Sequence, residues 1–323
     1  MAGGLAVALS GGGAKGAFQV GVLHELIVRR GVSFETVVGT STGAIQAAGV
    51  AQDDLDGLLG FWTGIRGNSD IYKRRGGTLW AVVSGKSSLY DTAPLRGLLK
   101  QAFSDDRIRA TGKRLRIAVV NITNAELRIV GENADNVTDW VYASSAMPVY
   151  FPPLETRDGA GLTEQWVDGG VRDVTPYDAA LAERPRAVLV VRAGARPQAD
   201  KPKRYNSLID IGLRSVGINS REVSENDLKN VNLINRLLTA EADQRRLLEA
   251  TGLTPDQIAQ VMRPLHAEIE RFRMVPTLVI EPATDLYDTL EFNPELIARN
   301  IERGRETVRN RWDEIARFLG VNP

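Results

Sequence analysis

The chain has 323 residues, 43% hydrophobic and 25% charged, with 40 basic side chains balanced by 40 acidic ones. That length suits one large α/β domain with insertions, or two lobes, and zero net charge argues against nucleic-acid or anionic-membrane binding through bulk electrostatics. The absence of cysteine excludes disulfides and thiolate metal sites and is compatible with a reducing cytoplasm.

The first apolar run, Leu5 to Leu9, predicts a strand; the apolar N-terminus, Gly3 to Leu9, reads as too short for a secretory h-region and lacks a preceding basic segment. Ser10-Gly11-Gly12-Gly13-Ala14-Lys15-Gly16 follows and opens a helix predicted over Ala17 to Arg30. Backbone N–H groups in such a loop are lightly covered and sit where a helix N-terminus favours an anion. Gly11, Gly13 and Gly16 satisfy the phosphate-cradling G-x-G-x-x-G spacing. A dinucleotide site would also need an acidic residue at the far end of the next strand, Thr36 to Gly39, whereas Glu35 stands at its start. The Walker pattern fails as well, because Lys15 is followed by Gly16. The other anion such a loop serves is the oxyanion of acyl transfer, stabilised by about 3 kcal/mol per preorganised amide.

The second strand runs into Gly39-Thr40-Ser41-Thr42-Gly43, and a small-residue helix is predicted over Thr42 to Ala51. This is the pattern of a nucleophile elbow, a strand-to-helix turn too tight for side chains beside the serine. The surrounding uncharged window, Thr36 to Gln52, is rich in Gly, Thr, Ser and Gln and does not read as a membrane span. A serine hydroxyl needs a base as it attacks. Of the two histidines, His24 lies about 12 Å along its helix from the glycine-rich loop, and His266 falls in the charged helical segment Asp256 to Arg273, with no nucleophile motif nearby. Both read as ordinary helical histidines, which leaves a carboxylate.

Further elements alternate in the manner of a parallel sheet with crossover helices. Helices are predicted over Leu55 to Ile65 and Ala93 to Phe103, strands over Leu115 to Val120 and Leu127 to Val130, and a helix over Val137 to Ser145. A strand over Gln165 to Val167 ends in Asp168-Gly169-Gly170; Asp168 is the candidate base, with a simple turn cap as its other reading. A helix over Tyr177 to Glu183, strands over Ala187 to Val191 and Thr277 to Ile280, and a helix over Pro294 to Leu319 complete the series. The glycine-rich loop and the elbow then leave the carboxyl ends of strands, the edge where such sheets bind ligands.

These residues resemble the patatin-like phospholipases, lipid acyl hydrolases that use a Ser-Asp dyad. The resemblance rests on Gly11-Gly12-Gly13-Ala14-Lys15-Gly16, Gly39-Thr40-Ser41-Thr42-Gly43 and Asp168-Gly169-Gly170, in the family's order. Ala143 to Pro153 and Ser88-Leu89-Tyr90-Asp91 are also similar, while the likeness is lost over roughly Arg196 to Met274. It implies a three-layer α/β fold with a mostly parallel sheet flanked by helices. Ser41 would be the nucleophile and Asp168 the base, with Gly11, Gly12 and Gly13 forming the oxyanion loop, Gly12 and Gly13 donating the amides. Lys15, Gly16, Gly39, Gly43, Gly169 and Gly170 would support these motifs. The family often has asparagine shortly after the aspartate, where this chain has Arg172-Asp173-Val174; Asp173 is a weaker rival for the base. Lys15 reads equally as a source of positive potential or as a solvated lysine packed on the loop.

The expected organisation is a catalytic α/β domain over 1–195 and 275–323 with a helical insertion over 205–273, after a linker at Arg196 to Arg204. The insertion is either a lid or a helical pair packed on the domain or on another subunit. Arg66 to Tyr90 mixes Tyr72, Trp80 and Tyr90 with Lys73, Arg74 and Arg75, and reads either as a solvated loop or as a lipid-headgroup dock. The expected activity is hydrolysis of phospholipid or lysophospholipid esters without metal or cofactor, by a cytoplasmic protein in peripheral contact with membranes. Acyl transfer from the same acyl-enzyme, and a lipid-binding regulator with a silent site, are the alternatives.

Overall fold

The computed structural model describes residues 3–75, 87–195, 204, 208–269, 274–285 and 287–321. Trp80 and nearly all of the Arg196–Arg204 linker lie outside the described residues. The strands are β1 (Leu5–Leu9), β2 (Thr36–Thr40), β3 (Lys73–Arg74), β4 (Tyr90–Asp91), β5 (Arg114–Asn121), β6 (Glu126–Gly131), β7 (Leu154–Arg157), β8 (Thr163–Asp168), β9 (Ala187–Val191) and β10 (Thr277–Ile280). The helices are α1 (Ala17–His24), α2 (Thr42–Ala51), α3 (Leu55–Gly64), α4 (Ala93–Ala102), α5 (Asp105–Ala110), α6 (Val137–Ser145), α7 (Tyr177–Ala182), α8 (Leu208–Ala250), α9 (Pro255–Ile269), α10 (Pro294–Asn310) and α11 (Trp312–Leu319).

Eight strands form one sheet in the order β10-β9-β1-β2-β5-β8-β7, with β6 also paired to β5. The β10-β9-β1-β2-β5 stretch is parallel, and β6, β8 and β7 add antiparallel pairs at one side. β1, β2 and β9 are buried along their whole length, as expected of central parallel strands covered on both faces; β1 and β9 are continuous Val/Leu/Ala runs, and β2 is Thr-Val-Val-Gly-Thr. Leu5, Val7 and Leu9 face the larger core with α1, α2 and α10, while Ala6, Ala8, Val188 and Val190 face a smaller one with Tyr177, Ala179 and Ala180 of α7. The fold is therefore three-layered, α/β/α, with a mostly parallel sheet.

One register detail brings distant residues together. Antiparallel β6 occupies one edge of β5 from Arg116 to Asn121. The other edge is shared: β2 pairs with it as far as Thr40 opposite Ala118, and β8 comes from the opposite direction and ends at Asp168 opposite Val119. The carboxyl ends of β2 and β8 thus meet head to head.

Strands Leu5–Leu9, Ala187–Val191 and Thr277–Ile280 and helices Thr42–Ala51 and Val137–Ser145 coincide with the sequence expectation at both ends. The helix expected over Ala17 to Arg30 becomes a π-turn at Glu25–Arg29. The last helix breaks at Arg311, whose backbone leaves helical geometry and whose guanidinium donates to the Val279 carbonyl and pairs with Glu314. The sequence pattern carries no signal for strands β3, β4 and β7 or helix α5, which are short and built largely from charged or weakly periodic residues. In the 205–273 segment, α8 and α9 are helical and packed on each other, with Ile258, Met262 and Ile269 buried; Leu233, Leu237 and Leu247 stay exposed. α8 also reaches the turn after β8, where Asn219 Nδ2 donates to the Val171 carbonyl (3.4 Å).

Candidate active site

Ser41 follows β2 directly and caps α2, with φ 57° and ψ −127°. A non-glycine residue in that region is strained by about 1–3 kcal/mol and persists only where its surroundings hold it. Two serines of α6 do so. Ser144 Oγ accepts the Ser41 N–H (2.9 Å) and donates to the Ala118 carbonyl (2.7 Å), while Ser145 Oγ donates to the Val141 carbonyl (3.0 Å) and lies 3.4 Å from the Ser41 carbonyl. Gly43 permits the turn itself, because a Cβ there would overlap the Leu9 carbonyl; Gly39 lies against Gly43 for the same reason.

The Ser41 side chain faces the Asp168 carboxylate closely enough to pull its pKa down. Asp168 Oδ1 also accepts the Gly170 N–H (2.8 Å), so it caps its own turn as well. Gly169 packs on the Ala118 carbonyl. Burial raises the Asp168 pKa to about 6, against the opposing pull of Ser41 and of the Gly170 hydrogen bond. The Asp173 carbonyl instead accepts from the Thr40 hydroxyl (3.0 Å). The histidines lie elsewhere: His24 is buried beside Asp56 (3.6 Å), its pKa lowered by burial, and His266 is exposed on α9.

The glycine-rich loop lies against Ser41, since a Cβ on Gly11 would stand 3.1 Å from Ser41 Cβ. The Gly11 N–H donates to the Val174 carbonyl (2.9 Å), which removes it from an oxyanion role; it shapes the loop instead. The N–H groups of Gly12 and Gly13 have no hydrogen-bond acceptor among the described residues. Gly13 has φ +56°, and a Cβ there would overlap the Thr289 carbonyl. Gly16 packs on Thr42. Lys15 pairs with Asp285 at 2.5 Å, so it is neither freely solvated nor an unpaired positive charge beside the site. Glu35 is exposed at the opposite end of β2, which removes the dinucleotide arrangement.

Sequence reasoning missed the supports of this loop. Gln19, buried on α1, donates to the Ser10 and Val191 carbonyls, and Gln46 on α2 joins Gln19, Thr42 and the Trp62 indole N–H. From the C-terminal part, Tyr287 donates to the Ala14 carbonyl (2.9 Å), Asn300 to the Lys15 carbonyl (3.2 Å), and the Thr289 carbonyl accepts the Ala14 N–H (2.8 Å). Fully buried polar side chains in a sequence signal only that a partner must exist; which partner depends on the fold.

Ser41 and Gly13 line a narrow pocket that opens to solvent. Its walls are mostly apolar, with Trp62, Ile65, Leu95, Phe151, Leu290 and Phe292 among them. Tyr72 packs behind this wall: its hydroxyl donates to the Leu290 carbonyl (2.8 Å) and its ring packs on Tyr90 and Phe151. None of the described helices is long and apolar enough to cross a membrane.

The patatin-like phospholipase family model matches residues 7–181, which contain both loops, Ser41 and Asp168. Over 97% of its length and 93% of the relative's, the chain is 26% identical to a cUMP-AMP-activated phospholipase of Escherichia coli. It is 27% identical over 201 residues to mouse patatin-like phospholipase domain-containing protein 7, a match covering 61% of this chain and 14% of that protein. Among solved structures, VipD from Legionella pneumophila aligns with 97% of this chain and 67% of its own, at 18% identity and a TM-score of 0.43. The family match covers more than half of the chain and contains the Ser41–Asp168 pair: the chain belongs to the patatin-like phospholipase family.

Proposed function

We propose that the chain hydrolyses carboxylic esters of phospholipid or lysophospholipid through an acyl-enzyme on Ser41, with Asp168 as its base. The placement of a strained, buried serine beside a buried carboxylate whose pKa is raised to about 6 carries this reading. Such a carboxylate is ionised at neutral pH yet more basic than an exposed aspartate. As Ser41 Oγ bonds to the carbonyl carbon, its proton passes to Asp168 and the carbonyl oxygen becomes an oxyanion facing the N–H groups of Gly12 and Gly13. Collapse breaks the ester C–O bond, and the leaving alcohol takes the proton from Asp168. Water then attacks the acyl-enzyme, gives its proton to Asp168, and releases the fatty acid as the Ser41 hydroxyl is restored. The start of α2 adds favourable potential for the negative charge near Ser41, and the apolar pocket receives the acyl chain. Catalysis is assigned to 1–195 with 275–323, and tuning of access to 205–273, because α8 lies over the turn that carries Asp168.

The test is fatty-acid release from phosphatidylcholine and lysophosphatidylcholine in chelator, by wild type, Ser41→Ala and Asp168→Asn. Release that survives chelation and vanishes in both variants supports the dyad; equal release by all three would contradict it.

Activation by a cyclic dinucleotide is a second reading, favoured by the end-to-end match to the relative named for cUMP-AMP activation. Running the same assay with and without cUMP-AMP separates a constitutive from a switched enzyme.

A further inference from the structure

Val149 has φ 72° and is 44% exposed. A β-branched residue almost never adopts the left-handed conformation, where its Cβ crowds the backbone. The turn is held there by backbone pairing: the Val149 and Tyr150 carbonyls accept the N–H groups of Leu89 and Tyr90 (both 2.9 Å), and the Tyr90 and Tyr150 rings stack at 6.0 Å and 12°. Glycine would satisfy this geometry without strain. What valine adds is an apolar side chain presented to the outside.

Its neighbours give that side chain a setting. On the far side of Leu89 and Tyr90 runs the short strand β3: the Arg75 N–H donates to the Leu89 carbonyl (3.4 Å), and Arg74 pairs with Tyr90. Lys73 and Arg74 are both exposed and have no ion-pair partner among the described residues. The carboxylate opposite Lys73, on Asp91, is held by Arg75 (3.6 Å) and by the Ala93 N–H (3.0 Å), and Asp70 accepts the Arg66 N–H (2.7 Å). Two exposed cations thus lie across Leu89 and Tyr90 from an exposed valine, Arg74 about two strand spacings away, ~10 Å, and Lys73, opposite Asp91, somewhat farther along β3. Met147 and Phe151, two residues to either side of Val149, and Ile71, two residues before Lys73, line the pocket at Ser41.

We propose that Val149, Lys73 and Arg74 form the surface on which this protein docks onto an anionic phospholipid bilayer, Val149 entering the headgroup region and the two cations meeting lipid phosphates. The inference rests on the phospholipid reading of the site and gives it a route: lipid is met beside the wall of the pocket that would take its acyl chain. The local charge, not the net charge of zero, supplies the attraction.

The test is flotation of the full chain carrying Ser41→Ala, which prevents turnover, with vesicles of phosphatidylcholine alone or mixed with phosphatidylglycerol. The expected result is preferential binding to the mixed vesicles, weakened at least ten-fold by Lys73→Glu with Arg74→Glu and weakened on both vesicle types by Val149→Gly. In the otherwise wild-type chain, these substitutions should leave hydrolysis of a soluble short-chain ester unchanged. Charge-reversed protein that floats like its parent would overturn the proposal, as would a parent that binds neither vesicle. Docking is read without turnover, so a chain that binds as expected but releases no fatty acid would refute the hydrolase reading and not this surface.

Discussion

The hydroxyl of Ser144 stands between the Ser41 N–H, which it accepts at 2.9 Å, and the Ala118 carbonyl, to which it donates at 2.7 Å. It ties the strained elbow to strand β5 in the layer where Asp168 ends β8. Ser144→Ala leaves the buried Ser41 N–H without an acceptor, at a cost of about 1–3 kcal/mol. We expect a lower Tm and a fall in kcat of about ten-fold or more with KM little changed. Steady-state kinetics beside thermal unfolding checks this; an unchanged kcat would mean the elbow is set without Ser144.

The raised pKa of Asp168 predicts a pH profile. The base works only when ionised, so kcat/KM of a short-chain ester should rise about ten-fold per pH unit below about 6 and level off above it. A profile flat from pH 5 to 8 would contradict Asp168 as the titrating base.

The same shift opposes stability. An unfolded aspartate releases its proton near 3.8 and the folded one near 6, so between those values the folded state holds more protons and stability falls as pH rises. Above about pH 6 the full cost applies, at most about 3 kcal/mol for this shift. Asp168→Asn can still accept the Gly170 N–H and carries no buried charge. Its Tm at pH 7.5 should therefore equal or exceed that of wild type while activity is lost; a lower Tm than wild type at that pH would refute the claim.

Gly13 must remain glycine for the loop to form. Its φ of +56° and the Thr289 carbonyl beside it leave no room for a methyl group, so Gly13→Ala should displace the amide proposed to bind the oxyanion and lower kcat by about 100-fold or more. Ser41 labelling by a fluorophosphonate should slow in parallel; normal kinetics would exclude Gly13 from the oxyanion site.

Phe292 tests the pocket wall. Phe292→Ala removes an aromatic at the boundary of core and pocket, and we expect a loss of about 3 kcal/mol in stability together with a shift of ester preference toward bulkier acyl groups. An ester series of increasing acyl bulk reads the shift directly.

The parts of this site legible in the sequence are those in which local backbone geometry dictates residue type: Gly11–Gly13 before a helix, Ser41 between Gly39 and Gly43, and Asp168 before two glycines. Asp168 by itself is ambiguous in the sequence, because an aspartate before glycine caps turns as readily as it accepts a proton, and here it does the first while facing Ser41. What joins Ser41 to Asp168 is the shared edge of β5, a register relation between strands that no local pattern carries. The supports Gln19, Gln46, Tyr287 and Asn300 lie far apart in sequence and meet only after the sheet has formed. No local pattern assigns Lys15 a partner, because Asp285 lies 270 positions away. Tyr72 and Tyr90 read as candidate headgroup contacts from composition, yet both pack beside the pocket, leaving the exposed positions nearby to Lys73, Arg74 and Val149.

The most direct measurement is the mass of the protein quenched during turnover of a nitrophenyl ester, followed by peptide mapping. The account predicts an acyl adduct on the peptide carrying Ser41 in wild type, absent in Ser41→Ala and formed far more slowly in Asp168→Asn. An adduct on another residue, or full turnover by Ser41→Ala, would contradict the assignment of Ser41 and Asp168 as the catalytic pair.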